Sequence, residues 1–434
     1  MVGPAPAGAD RVSRDPFRCR IRVKATQLAC LALSLAAFTP AVCAQESPVE
    51  GFSERLLSES ARVSLITILP GKKVYSIFGH NAIRVVDPER GIDVAYNYGT
   101  FEFGNPLTFS AKFLYGDLNY RLLRQRYDRM VAYYPSEEGR PLIEQWLDLD
   151  ADQRETIFRF LEWNALPENA YYRYDFFYDN CATRIRDLLE DVLGSALRAE
   201  LRNPDRTMRQ LLDPYLVEKP LLHLGMDFAQ GVPADRPATA RNAMFLPDHL
   251  ASWLAGARLQ GPNGERALIA RTDSIGWTPE RGTRHPAFPW VELLAGTFLA
   301  WVVYLTIRDL RSDRTGRRWL DVPLFGLLGV AGLFVVFMWF VSLHAVTKRN
   351  INILWVLPTH IGLAWTLLRS GGGRWLPAYL WATTGLAVVF ALGWPFWTQE
   401  VSVTLLFLAL ASGVRSAGLA LRLRGDREET PSVP

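Results

Sequence analysis

The sequence contains few of the residues that build metal centres and disulfide frameworks. Of its 434 residues, 4 are cysteine and 6 are histidine. Nowhere do His, Cys, Asp and Glu recur at the spacing of zinc ligands, and the sequence has neither a phosphate-binding loop nor a dinucleotide-binding fingerprint. We therefore expect no metal ion and no cofactor.

Concentrated charge is also absent. The net charge is +4, and the arginines are scattered or lie in short loops, so no basic patch predicts binding to nucleic acid. Hydrophobic residues make up 49% of the chain, which excludes a disordered protein. These residues are unevenly distributed, because long apolar runs dominate only after residue 289.

The N-terminus has the features of a secretory signal peptide. Basic residues between positions 18 and 24 precede an apolar run over 28–38, and Ala44 ends a small-residue cleavage motif. We predict a signal peptide over 1–44, because the apolar run is shorter than the roughly 20 residues that a membrane span needs. An uncleaved signal anchor is the alternative, and in either case the domain that follows is exported.

The cysteines divide into two groups around that cleavage site. Cleavage would remove Cys19, Cys30 and Cys43 and leave Cys181 as the single thiol of the mature chain. A lone thiol forms no intramolecular disulfide, and in an oxidising compartment it is a liability unless it is buried or used. Cys181 is therefore either an inert core residue or a nucleophile.

Five apolar stretches follow residue 289, and each is near the length of a membrane span. They predict an all-α transmembrane bundle of about five helices. The stretches cover 290–307, 322–343, 351–368, 375–397 and 401–421.

The short loops between these stretches set the orientation of the bundle. The connections after the first, third and fifth stretches carry most of the arginines, which places them in the cytoplasm. The exported domain then lies outside, in agreement with the signal peptide. We predict a multi-pass protein of the inner membrane with a periplasmic domain over 45–286, a helical bundle over 287–421 and a cytoplasmic tail over 422–434.

A predicted hairpin carries the histidine that is relevant to chemistry. Residues 75–87 have the pattern of a strand that contains His80, and a turn leads into the next strand. If Asp87 pairs with Ile92, His80 lies opposite Gly99, and its expected neighbours are Asn97, Thr100 and Glu102.

Cys181 lies at the predicted start of a helix. Asp179 or Asn180 can cap this helix, and Gly194 suits its end. The partial positive charge at a helix N-terminus lowers the pKa of a thiol and favours a bound oxyanion. This position is therefore favourable for a cysteine nucleophile.

A cysteine nucleophile needs a base, and the four histidines that precede the predicted bundle are candidates. We favour His80, because a ring at the start of a strand can project from the sheet edge toward a helix terminus. His223 lies among leucines and is predicted to be a core residue. His249 lies near a predicted helix start, and His285 lies in the linker before the bundle.

One outer loop of the bundle is unusually polar. His344, Asn350 and Asn352 precede Trp355 at the mouth of a predicted span. Polar groups at membrane depth are costly and often functional. The alternative is an interfacial loop held by an aromatic residue.

Three short motifs together resemble a known family. The segments FGHNA at 78–82, YNYGTF at 96–101 and YDNCAT at 178–183 are similar to the Lnb N-terminal periplasmic domain. The polar loop around His344 is similar to that of the family's membrane part. The resemblance implies an α+β domain of permuted papain-like type, with an antiparallel sheet and a nucleophile helix.

The same resemblance implies a lipoprotein N-acyltransferase, with a membrane phospholipid as acyl donor and a lipoprotein as acceptor. It implies that Cys181 is the nucleophile, that His80 is the base and then the acid, and that Asn97 orients the imidazole. The residues expected to contact substrate are Asn81, Tyr98, Asn180, Arg184, His344, Asn350, Asn352 and Trp355.

Two other functions fit the same residues. The Cys–His pair also suits a membrane-tethered cysteine peptidase or amidase that acts on cell-wall peptides. The third hypothesis is a non-catalytic subunit of an envelope complex with Cys181 buried. We favour acyl transfer, because a hydrolase that faces the wall needs one membrane anchor rather than five.

Overall fold

The structure, a computed structural model, describes residues 55–100, 105–199, 202–261, 264–276, 288–312, 318–369 and 373–428. The predicted signal peptide over 1–44, Glu102, His285 and residues 429–434 of the predicted tail lie outside these ranges. The described chain forms an α+β domain followed by a helical bundle, as the sequence predicts.

Antiparallel strands form the centre of the first domain. The strands are β1 (Arg62–Ile68), β2 (His80–Asp87), β3 (Ile92–Thr100), β4 (Asn119–Arg126), β5 (Leu142–Leu147), β6 (Tyr171–Arg173), β7 (Leu197–Arg198), β8 (Arg258–Gly261), β9 (Gly264–Ala267) and β10 (Ile269–Ile275). The main sheet has the order β10-β5-β1-β2-β3-β4-β6, and β7, β8 and β9 form a small separate sheet.

Helices and short turns surround the main sheet. The helices are α1 (Pro106–Tyr115), α2 (Tyr127–Ala132), α3 (Ala151–Asn164), α4 (Cys181–Leu193), α5 (Asp213–Leu216), α6 (Pro220–Ala229), α7 (Ala240–Ala243) and α8 (Pro247–Gly256). On one face of the sheet, the apolar stripe of α4 packs with α3 against alternate residues of β1 and β2. On the other face, Ile66 and Ile68 of β1 pack against α2.

The predicted hairpin register is confirmed, because Asp87 pairs with Ile92. The predicted strand over 75–87 begins too early, since β2 starts at His80 and Val74–Ser76 form a 3-10 turn. Gly79 has a φ of +79°, in the left-handed region that breaks a strand and suits glycine. His80 is therefore the first residue of β2.

The second part of the described chain is a bundle of five helices. Four of them, counted with their continuing turns, are long and apolar enough to cross a membrane: Trp290–Leu310, Arg318–Val341, Leu376–Phe396 and Val403–Arg424. The helices are α9 (Trp290–Leu310), α10 (Arg318–Val336), α11 (His360–Leu368), α12 (Leu376–Gly393) and α13 (Val403–Glu428).

The third predicted stretch, 351–368, does not form one continuous helix. Its first part is a 3-10 turn, Ile351–Leu354, and α11 has 9 residues. Nine helical residues extend about 14 Å, whereas the hydrocarbon core is about 30 Å thick. Residues 355–359, between the turn and α11, are non-helical backbone, and Trp355 and Val356 among them are buried.

Two glycines of α10 make room for this segment. A side chain at Gly332 would approach the carbonyl oxygen of Val356 to 2.1 Å, and one at Gly329 would approach the Ile361 nitrogen to 2.6 Å. Irregular backbone at membrane depth is tolerated where protein covers it. The absence of side chains at these glycines lets α10 provide that cover.

A buried ion cluster joins three helices near the cytoplasmic side. Arg415 of α13 binds Asp309 of α9 at 2.9 Å and Asp321 of α10 at 2.5 Å, and the Arg415 side chain is almost completely buried. Charged groups within a membrane are found paired in this way.

The outer connections of the bundle bind the first domain directly. The Gln399 amide donates to the Gln230 carbonyl at 3.1 Å, and the Asn350 amide donates to the Phe228 carbonyl at 2.7 Å. The Leu343 N–H donates to the Tyr115 carbonyl at 2.7 Å. The first domain thus lies on the side that the arginine distribution predicts to be outside.

We predict that Gly332→Ala destabilises the chain, because its new methyl group would meet backbone rather than a flexible side chain. Overpacking of this kind costs about 1–3 kcal/mol. Thermal unfolding in detergent should show a lower midpoint.

Gly385→Ala in α12 is the matched control, since nothing lies within 4 Å of the added atom. Equal midpoints for the two variants would contradict the assigned close packing.

Candidate active site

Local hydrogen bonds place Cys181 in the first turn of α4. The Asn180 side chain accepts from the N–H groups of Ala182 at 2.9 Å and Thr183 at 3.0 Å, so it caps the helix as predicted. Its amide donates to the carbonyls of Phe176 and Phe245. The start of α4 is therefore held in place from two separate segments.

His80 meets this helix end from the sheet. As the first residue of β2 it pairs with Ile68 of β1, and its imidazole lies close enough to the Cys181 thiol that each group shifts the pKa of the other. Its Nε2 lies 2.5 Å from Oδ1 of Asn97 on β3. The Asn97 amide in turn faces the Tyr134 hydroxyl at 3.5 Å. The structure thus brings together the three residues predicted to be catalytic.

This arrangement favours a thiolate–imidazolium pair. Burial alone would raise the pKa of Cys181, but the charge of His80, its hydrogen bond and the N–H groups of Asn81 and Ala182 together lower it below the usual value. Burial alone would lower the pKa of His80, but the contacts with Cys181 and Asn97 raise it. Both shifts favour transfer of the thiol proton to the imidazole.

Tyrosines that no sequence motif indicates line the same space. A side chain at Gly99 would lie 3.7 Å from Cε1 of His80, 3.8 Å from Tyr120 and 3.9 Å from the Tyr172 hydroxyl. Gly99, with a φ of +87°, leaves this volume open. The Tyr172 hydroxyl is buried and has no hydrogen-bond partner among the described residues. Strand alternation was the available signal, because it places Tyr172 inward and Tyr171 outward.

Four residues of the periplasmic domain are predicted to contact substrate, and the side chain of each has a protein partner. Asn81 donates to Thr67 and reaches the thiol through its backbone. Tyr98 is buried in the core, where its hydroxyl donates to Asn164. Asn180 is the helix cap described above, and Arg184 forms an ion pair with Asp179. Contact of these residues with substrate stays a prediction.

The outer-loop residues predicted to contact substrate also bind protein groups. His344 contacts the Phe113 carbonyl through Nε2 at 2.7 Å. Asn350 and Asn352 are fully buried and bind the Phe228 carbonyl. The Trp355 indole donates to Asn352. This loop holds the bundle to the first domain and does not join Cys181.

Two further histidines of the described chain, His223 and His249, lie outside the site. His223 is not the predicted core residue, since it is partly exposed and pairs with Asp213 at 3.2 Å. His249 follows the start of α8, as predicted.

Two protein-family models match this chain. Residues 50–214 match the Lnb N-terminal periplasmic domain, and residues 287–424 match the Lnb transmembrane domain. The chain belongs to the Lnb family. No curated protein and no solved structure matches it. Its Lnb domains and four spanning helices make it an inner-membrane protein with a periplasmic N-terminal domain.

We predict that iodoacetamide still alkylates Cys181 at pH values where an ordinary thiol, with a pKa of about 8.5, is protonated and unreactive. His80→Ala should raise the midpoint pH of the alkylation rate by roughly one unit or more, because the positive partner of the thiolate is lost. Mass spectrometry of the Cys181 peptide measures the rate.

His249→Ala, which removes another partly buried histidine, serves as control and should leave the profile unchanged. An identical profile for His80→Ala would contradict the ion pair.

Proposed function

We propose that this Lnb family member is a lipoprotein N-acyltransferase that carries the acyl chain on Cys181. The observation that carries the proposal is the electrostatically coupled Cys181–His80 pair at the start of α4, in a domain bound to a membrane bundle. An activated thiol beside a histidine is the arrangement of covalent acyl transfer.

In the first half of the reaction, the Cys181 thiolate attacks an ester carbonyl of a membrane phospholipid. The carbon–sulfur bond forms and the carbonyl electrons move onto oxygen. When the tetrahedral intermediate collapses, the glycerol oxygen leaves and takes a proton from the His80 imidazolium. The products are a thioester on Cys181 and a lysophospholipid.

The negative oxygen of that intermediate needs hydrogen-bond donors. The Tyr172 hydroxyl is a candidate, because it is buried without a described partner and faces the space beside Gly99 that His80 also borders. The partial positive charge at the start of α4 acts in the same direction.

In the second half, the N-terminal amine of a lipoprotein attacks the thioester. His80, now neutral, accepts a proton from the amine, and the Cys181 thiolate leaves. The amide product carries the acyl chain and the Cys181–His80 ion pair is restored. Asn97 keeps the imidazole oriented through both halves by its contact with Nε2.

The contacts between the domain and the bundle favour a lipid donor over a cell-wall peptide. Gln399 and Asn350 bind backbone carbonyls of the periplasmic domain, and His344 binds another. A peptidase needs only a tether, whereas an enzyme that takes acyl chains from lipid needs its site held at the membrane surface.

We predict that the purified chain, incubated in bilayers with radiolabelled phospholipid, gains one acyl chain on Cys181 that hydroxylamine releases. Cys181→Ala should gain none, because the carrier sulfur is lost, and should no longer acylate lipoproteins. Intact-protein mass spectrometry measures the adduct. Lipoprotein acylation by Cys181→Ala would contradict the proposal, and release of peptides from peptidoglycan without any lipid reaction would favour the peptidase.

We predict that Tyr172→Phe slows thioester formation by roughly 100-fold, the usual cost of one oxyanion donor. The KM for lipid should stay unchanged, because the hydroxyl acts on the intermediate. The matched control is Tyr171→Phe, since Tyr171 lies next to it with its ring exposed. Equal rates for both variants would remove Tyr172 from the mechanism.

A further inference from the structure

Helix α1 exposes an unusual amount of apolar surface for a periplasmic helix. Leu107 is 82% exposed, Phe113 46% and Leu114 37%. Its ten residues, PLTFSAKFLY, include one charged side chain, that of Lys112. A helix this short is marginal in water, and α1 has few buried side chains to stabilise it. Its composition therefore indicates an apolar environment.

The C-terminal end of α1 is fixed to the outer end of a membrane-spanning helix. The Tyr115 carbonyl accepts from the Leu343 N–H at 2.7 Å, and the Phe113 carbonyl lies 2.7 Å from Nε2 of His344. Both partners follow directly on the turn that ends the spanning segment Arg318–Val341. These bonds place α1 at the level where that segment leaves the membrane.

The apolar surface of α1 continues onto the spanning segment itself. Phe340 and Val341 in its last turn are 71% and 50% exposed, as expected of side chains that face lipid. Lys112 has the long stem that lets a lysine near an interface reach the headgroups. Continuity with a lipid-facing surface identifies the bilayer as the occupant of the exposed face.

Helix α1 also connects two strands that border the active site. β3 leads toward α1 and contributes Gly99, and β4 follows α1 and contributes Tyr120, and both lie beside His80. On its inner side, Phe109 packs against the same hydrophobic core that Cys181 contacts. One helix thus links the outer end of a membrane span to the catalytic pair.

We propose that α1 is an interfacial helix that inserts Leu107, Phe113 and Leu114 into the outer leaflet of the inner membrane and guides a lipid acyl chain to Cys181. The proposed insertion rests only on the exposure of the apolar side chains of α1 and on the hydrogen bonds that join α1 to Leu343 and His344. The guidance rests on the proposed function.

Fluorescence quenching tests the insertion without any activity. In a full chain whose 4 native cysteines are alanine, Leu107→Cys carries an environment-sensitive nitrobenzoxadiazole label in nanodiscs of phosphatidylethanolamine and phosphatidylglycerol. We expect blue-shifted emission that doxyl-labelled phospholipid quenches. The control is Leu166→Cys, at an exposed leucine after α3, which should emit as in water. The insertion would be overturned if both labels were equally exposed to water. It would also be overturned if the label at position 107 were shielded from water but not quenched by lipid, as a partner protein would cause.

An activity assay tests the guidance. Leu107→Asp in the native chain should lower thioester formation from bilayer phospholipid by roughly 10-fold, the cost of removing one leucine from an interface. Acylation of Cys181 by a water-soluble short-chain thioester should be unchanged, as should both reactions of Leu166→Asp. Equal loss with both donors would overturn the guidance. If neither donor acylates the native chain, the proposed function fails, whereas the quenching result still decides the insertion.

Discussion

The approach of the first residue of α4 to the first residue of β2 creates the candidate site of the periplasmic domain. Cys181 and His80 are held by different parts of the fold, the thiol by the cap at Asn180 and the imidazole by the pairing of β2 with β1 and by Asn97. Neither the helix nor the strand alone sets the position of both residues. The distance between the two side chains therefore depends on how α4 packs on the sheet, and the hydrophobic core between helix and sheet positions the candidate site.

Local patterns in the sequence predict the elements that carry Cys181 and His80, whereas the pairing of the two residues is implied largely by the family resemblance. Asn180 and Gly194 mark the ends of α4 because capping depends on neighbours within a few positions. The pairing of Asp87 with Ile92 similarly follows from one tight turn and brings Asn97 toward His80. Each of these inferences depends on chain segments of fewer than about 20 residues, where local physics dominates.

Tertiary packing explains what the sequence does not predict. Tyr134 and Tyr172 approach the pair from segments far apart in the chain, and no periodicity signals such a meeting. The stretch 351–368 is apolar enough for a helix, yet the space left by Gly332 and the buried amides of Asn350 and Asn352 hold part of it as non-helical backbone. Hydropathy cannot distinguish these outcomes, since both bury the same side chains.

The hydrogen bonds from Gln399 and Asn350 hold the periplasmic domain to the membrane bundle. In the proposed reaction, a domain held at the surface in this way encounters its lipid donor by lateral diffusion in two dimensions. The relevant concentration is then the mole fraction of the donor among membrane lipids, and dilution of the surrounding water does not change it. The proposal therefore implies that the composition of the leaflet, rather than the volume of the periplasm, sets the supply of donor to Cys181.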